Sequence, residues 1–193
     1  MGPVRLLAES KGDNIYQFSA RDIDGKVTDL SKYEGQVCVV VNVASKWGLT
    51  KANYTQLVQL HEKYNQVNLS NTLHIICIPS IFIFTLQTGN KLAILAFPCN
   101  QFGAQEPGSS SEIKKFAEGY GVKFDMFEKI NVNGSQAHPL WVYLKEKQGG
   151  LLGSGIKWNF TKFVIDKNGN PVARLGPTDA PIPKVEDEIK KYL

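Results

Sequence analysis

Apolar positions along this chain fall into two rhythms, a near-continuous one and a helical one. Val37 to Val43 is apolar almost without interruption, the pattern of a central strand covered on both faces. From Thr50 onward Tyr54, Leu57, Val58, His61 and Tyr64 recur at helical spacing, so a strand feeding a helix is predicted there. Leu92 to Phe97 reads as a second buried strand, stopped by Pro98. Ile15 to Ala20 alternates, Asp24-Gly25 marks a hairpin turn, and Lys26 to Asp29 returns. Further on, helices are predicted from Ser111 to Tyr120, with Glu112 in the first turn, and from Pro139, at N1, to Lys147. Phe163 to Ile165 and Val172 to Leu175 flank the turn Asp166-Lys167-Asn168-Gly169, and Pro183 opens a last helix to Tyr192. A parallel βαβ unit followed by a hairpin and helix predicts an α/β fold, a central mixed sheet flanked by helices.

One stretch breaks the pattern. Between Tyr64 and Leu92 the chain is nearly all apolar from Leu73 to Leu86, with Pro79 in the middle. Closing a longer loop costs only roughly 1.3 kcal/mol, so entropy does not forbid it. Burial is the difficulty, since Ile75, Ile76, Ile78, Ile81, Phe82, Ile83 and Phe84 each want about 1.5–3 kcal/mol worth of it. One domain over 1–193 with an atypical apolar insertion at about 68–91 is therefore expected. A segment foreign to the fold is the favoured reading, and a membrane-dipping hairpin the other; the stretch has no basic face to support the second.

Composition narrows the class. The 42% hydrophobic and 21% charged fractions are those of a globular protein, and the net charge of +4 is modest and spread. Basic runs interleaved with aromatics are absent, so no nucleic-acid partner is expected. Cys38, Cys77 and Cys99 are odd in number and show no CxxC spacing, so a disulfide framework is not expected, nor is a metal site. A reducing, cytoplasmic compartment follows as an expectation. His138 precedes a helix-starting proline and should cap or pack, His61 lies on an apolar stripe, and Cys38 should be buried.

The candidate chemistry lies in Asn42 to Thr50, NVASKWGLT. A residue in a tight turn between strand and helix sits beside unpaired helix N–H groups and the positive end of the helix dipole. Proteins lower the pKa of a thiol or selenol at such places. Trp47 holds this position, and an indole has neither a titratable proton nor a nucleophile. Its neighbours Ser45, Lys46 and Gly48 describe a polar turn rather than a core.

NVASKWGLT, FPCNQFGAQEPGS (Phe97 to Ser109), KFDMFEKINVNG (Lys123 to Gly134) and IKWNFTKFVIDKNG (Ile156 to Gly169) together resemble the glutathione peroxidase family, in particular its phospholipid-hydroperoxide (monomeric) branch. HPLWVYLK and FSARDIDGKVTDLSKYEGQVC fit as well, so the resemblance covers the chain from Ile15 to Leu193 except near Asn68 to Lys91. It implies a thioredoxin-like fold with selenocysteine or cysteine at the position of Trp47. Selenocysteine is encoded by UGA, which other decoding tables read as tryptophan; substitution and an inert paralogue are the alternatives. Gln101, Trp158 and Asn159 match the rest of the family's catalytic tetrad, a set of neutral donors suited to a chalcogen anion. Lys157 and Arg174 match positions associated with the glutathione carboxylates, while Leu49 stands where that branch often has lysine.

The resemblance further implies a peroxidase that reduces hydrogen peroxide and organic or lipid hydroperoxides, at membranes among other places, in response to oxidative stress. Glutathione would be the co-substrate, no cofactor would be needed, and a monomer would suffice. Two-cysteine members of the family use a resolving cysteine after the NQFG motif; none occurs here from Ser109 to Gly134, which favours glutathione over thioredoxin. Cys99 is a minor redox candidate. The competing class is a catalytically inactive thioredoxin-fold protein kept for binding or regulation.

Overall fold

The computed structural model describes residues 14–65, 92–149 and 153–193. The apolar segment at about 68–91, with His74 and Cys77, lies outside the described residues. Strands β1 (Ser19–Arg21) and β2 (Val27–Asp29) form a small antiparallel ribbon. The main sheet contains β3 (Val37–Val43), β4 (Leu92–Pro98), β5 (Asp125–Met126), β6 (Lys162–Ile165) and β7 (Pro171–Leu175), in the order β5-β4-β3-β6-β7. β3 and β4 run parallel, joined through helix α1 (Thr50–Asn65), whereas β6 is antiparallel to β3 and to β7. The mixed sheet expected from the apolar pattern is thus formed.

Alternation explains how a continuous apolar strand serves two cores. Cys38 and Val40 face the same side as Leu95, Phe97, Phe163 and Ile165, where helix α3 (Pro139–Lys147) contributes Leu140, Trp141 and Leu144. Val37, Val39, Val41 and Val43 face the opposite side. There they meet Tyr54, Leu57 and Leu60 of α1, Ile113 of α2 (Ser110–Glu118), and Ile189 of α4 (Glu186–Ile189). Both faces of β3 are therefore buried, as period-two geometry on a two-layered sheet requires.

Local boundaries differ from the expectation where side chains compete with propensity. The second helix begins at Ser110 rather than Ser111, because Ser109 forms a reciprocal capping box with Glu112, and it ends at Glu118. Ile15–Gln17 is a single 3-10 turn, capped by Asn14, instead of the start of a strand. The last helix is cut to Glu186–Ile189, preceded by a wide turn over Pro181–Val185 in which Ile182 is extended. His138 caps α3, its Nδ1 accepting from the Leu140 N–H at 3.3 Å, and Cys38 is fully buried. Gly169, in the β6–β7 turn, has φ +81°, and a Cβ there would lie 2.8 Å from the Tyr16 ring, so only glycine fits.

Candidate active site

The carboxyl end of β3 runs into residues 44–49 and then α1, the strand–turn–helix arrangement expected around position 47. Hydrogen bonds fix this turn tightly. The Trp47 N–H donates to Thr50 Oγ1 at 3.1 Å, the Thr50 N–H returns to the Trp47 carbonyl at 3.0 Å, and Thr50 Oγ1 donates to the Ala44 carbonyl at 2.7 Å. Residue 47 is thereby held three residues ahead of Thr50, the first residue of α1, near the helix end where free N–H groups and the dipole favour negative charge.

The expectation of a purely polar turn needs correction. The Trp47 indole is half-buried, packs against the core beneath α1, and stacks on Phe160 with centroids 5.7 Å apart and planes 22° apart. Phe160 has φ +57°, a left-handed conformation uncommon outside glycine, and its N–H donates to the Asn42 carbonyl at 2.7 Å. Asn42, the one polar residue of β3, is fully buried. Its Nδ2 donates to the Trp158 carbonyl at 3.1 Å, and its Oδ1 accepts from the Thr161 N–H at 2.9 Å. A lone Asn in a buried run is a signal that sequence reasoning could have used.

Aromatic contacts draw a second loop to the same place. Phe102, next to Gln101, lies 5.9 Å from the Trp158 ring, which is exposed. Gln101 itself braces the loop after β5. Its Oε1 accepts from the Val132 and Asn133 N–H groups at 2.8 and 3.0 Å, and its Nε2 donates to the Asn133 carbonyl at 3.0 Å. Asn159 is fully buried and its Nδ2 donates to Gln105 Oε1 at 2.7 Å, leaving Asn159 Oδ1 without a partner. In this arrangement, with an indole at 47, both carboxamides direct donors at neighbouring loops.

The comparisons with known proteins decide the lineage. The family model described as glutathione peroxidase matches residues 15–81 and 82–145, two stretches that meet inside the apolar segment. The phospholipid hydroperoxide glutathione peroxidases of Bos taurus and Sus scrofa are 51% and 52% identical over 182 residues, covering 93% of this chain and 80% of each relative. The chain belongs to the glutathione peroxidase family. Among solved structures, Trgpx in apo form superposes with a TM-score of 0.68 at 33% identity, and T. cruzi GPX1 with 0.64 at 34%, each covering 93% of this chain and 94% of the other. A thioredoxin-family thiol:disulfide interchange protein from Chlorobium tepidum, at 15% identity and a TM-score of 0.58, shares the fold alone. The glutathione peroxidase chain thus has the thioredoxin-like fold.

The two cations matched to glutathione sit differently in this glutathione peroxidase. Lys157 is exposed, next to Trp158. Arg174 on β7 is half-buried over the Phe163 ring, and its guanidinium donates to the Ser154 and Gly155 carbonyls at 2.8 and 2.7 Å. It therefore shapes the strand of chain that leads into Lys157. Cys99 is fully buried at the end of β4, and burial raises its thiol pKa, the opposite of what a reactive thiolate needs. Among the described residues no group of three or more metal-ligating side chains occurs.

Proposed function

We propose that this chain, with a chalcogen at position 47, reduces hydroperoxides at the expense of glutathione. Family membership carries the activity, and the observation that supports the site is the turn of residue 47, held between β3 and α1 and stacked on Phe160, which follows Trp158 and Asn159 in the chain. The relatives named phospholipid hydroperoxide glutathione peroxidase support a lipid hydroperoxide substrate. Leu49, two residues after the position, and Trp158 are exposed and support contact with a bulky apolar chain.

The cycle runs through residue 47. A selenolate or thiolate attacks a peroxide oxygen, the O–O bond breaks, and the departing alkoxide takes a proton, giving alcohol and a selenenic or sulfenic acid. One glutathione thiol then forms a mixed bond with the enzyme and releases water. A second thiol attacks that bond, releasing glutathione disulfide and restoring the nucleophile. With a chalcogen at 47, Gln101, Trp158 and Asn159 would offer neutral donors to its anion and to the peroxide oxygens, the two carboxamides turning from the Asn133 carbonyl and Gln105 Oε1 that they meet when an indole stands there. Lys157 meets a glutathione carboxylate, and Arg174 fixes the segment that presents it.

A monomer in a reducing, cytoplasmic compartment completes the proposal; the free thiols of Cys38 and Cys99 support the compartment. The test is glutathione-dependent turnover of a phospholipid hydroperoxide by protein carrying cysteine or selenocysteine at 47. Absence of turnover by correctly folded protein of either kind would leave the binding or regulatory reading.

A further inference from the structure

Gln105 and Glu106 join the loops of this site although neither belongs to the tetrad. Glu106 is fully buried, and its Oε1 accepts from Ser45 Oγ at 2.7 Å, two residues before position 47. The Glu106 N–H donates to Asn100 Oδ1 at 2.8 Å, one residue before Gln101. Gln105 accepts from Asn159 Nδ2 at 2.7 Å through its side chain and from the Lys46 N–H at 3.0 Å through its carbonyl. Four hydrogen bonds therefore tie this dipeptide, in the loop that carries Gln101, to Asn100 of that loop and to the segments that carry Trp47 and Asn159.

From this geometry we propose that Glu106 is a positioning residue: its carboxyl holds the turn of residue 47, through Ser45, against the loop after β4, where its own N–H is bound to Asn100 and its neighbour Gln105 holds Asn159. The proposal rests on the peroxidase reading for its catalytic consequence, though not for its structural one. Ser45 has a single hydroxyl proton to donate, and Glu106 Oε1 receives it. Glu106 Oε2 is buried with no hydrogen-bond partner. An ionised carboxylate would leave that oxygen charged and unpaired, which is far costlier than a neutral acid. Burial accordingly raises the Glu106 pKa, against the opposing effect of the Ser45 bond. The charged and titratable groups around it are Lys46 in the turn, Tyr54 on α1, Cys99 after β4 and Lys129 after β5. The two lysines and the Ser45 hydroxyl favour the carboxylate, so the acid loses its proton as the pH rises, and the Ser45 bond becomes charge-assisted as it does.

The experiment uses the Trp47 chain itself, because the backbone resonances of Ser45 to Trp47, the Trp47 indole N–H and the Asn159 side-chain amide report on the turn without any turnover. Nuclear magnetic resonance spectra are recorded from about pH 4 to pH 8 for the native chain, Glu106→Gln and Glu106→Ala. In the native chain these signals should move together, with a midpoint above the ordinary carboxylate range. Glu106→Gln keeps an acceptor for Ser45 and should abolish the titration while leaving the signals close to their low-pH positions. Glu106→Ala should displace those of Ser45 to Trp47 and of Asn159 at every pH. An unchanged titration in Glu106→Gln would overturn the proposal, as would native positions in Glu106→Ala; if the alanine variant does not fold, the glutamine variant still decides. In a Trp47→Cys background, Glu106→Ala should lower kcat about tenfold or more with little change in KM, and Glu106→Gln should restore most of it. Should Trp47→Cys be inactive, the peroxidase reading fails, and the spectra still decide the positioning role.

Discussion

The Trp47 indole and the Phe160 ring form a nearly parallel stack, 5.7 Å between centroids. This contact places residue 47, the proposed nucleophile position, against the segment that carries Trp158 and Asn159. It also explains how a bulky side chain is accommodated among Ser45, Lys46 and Gly48, which are partly or fully exposed. The ring packs against the core under α1, where the Tyr54 ring meets Phe160 edge-on at 5.8 Å. Packing and chemistry therefore diverge at residue 47: the indole fits, and it cannot attack a peroxide.

Trp47→Cys should convert an inert chain into a thiol-dependent peroxidase. The native Trp47 protein is expected to show no turnover above a heat-inactivated control in a glutathione-coupled assay. The substitution removes the stack on Phe160, which should cost about 1–2 kcal/mol and lower Tm by about 2–4 °C per kcal/mol. Peroxide turnover by the unmodified chain at family-like rates would defeat the assignment and bring Cys99 forward.

Asn42→Ala should be strongly destabilising for a surface-blind reason. Its Oδ1 serves the Thr161 N–H and its Nδ2 the Trp158 carbonyl. The carbonyl retains the Thr161 Oγ1 donor at 3.2 Å, so the larger cost is the orphaned Thr161 amide. A loss of about 2–3 kcal/mol is expected in urea unfolding. In the Trp47→Cys background the peroxidase rate should fall as well, since the Asn42 side chain ties Trp158 and Thr161, on either side of Asn159 and Phe160, to β3. A change below about 0.5 kcal/mol would mean that the buried amide is dispensable.

Much of this fold was legible in the sequence because β3, β4 and α1 carry unambiguous apolar rhythms. The long motifs around Trp47, Gln101, Trp158 and Asn159 also pointed to the right lineage. What was not legible were partners set by three-dimensional closure. Glu106 reads as one more charged residue before Pro107, yet the loop after β4 folds it beneath Ser45. Arg174 reads as a carboxylate ligand, while in the structure it grips the Ser154 and Gly155 carbonyls. The wide turn over Pro181–Val185, where an α-helical start was expected at Pro183, likewise depends on contacts across the chain: the Ile182 N–H donates to Gln56 Oε1 on α1 at 3.1 Å.

Acid should loosen the contact between α1 and α4 before most of the sheet. Glu186 is buried and receives Lys63, Tyr64 and Lys190 on the same oxygen. The Lys63 bond is the main cause that lowers its carboxyl to about 2, with Tyr64 and Lys190 adding to it against burial. A carboxyl depressed in the folded state contributes stability that is fully present above its unfolded value of 4.5 and is lost as pH falls toward about 2. Urea unfolding across that window should show stability falling with acid in the native chain and a shallower slope in Glu186→Gln. Parallel slopes for the two proteins would show that Glu186 titrates alike in folded and unfolded chains.

Gln101 offers a way to separate bracing from chemistry in one residue. Removing its carboxamide strands the Val132 and Asn133 N–H groups, both of which now end on Oε1. Gln101→Ala should therefore speed hydrogen exchange at those two amides about tenfold or more, while β3 and β4 amides keep their protection. Gln101→Glu retains the acceptor and loses the Nε2 donor, so its exchange at Val132 and Asn133 should stay slow. In the Trp47→Cys background the two variants then divide the roles. If Gln101→Glu loses peroxidase activity with its loop intact, the amide donor acts at the reacting atoms. If activity follows amide protection instead, Gln101 works through the 132–133 loop, and its place in the tetrad is that of a brace.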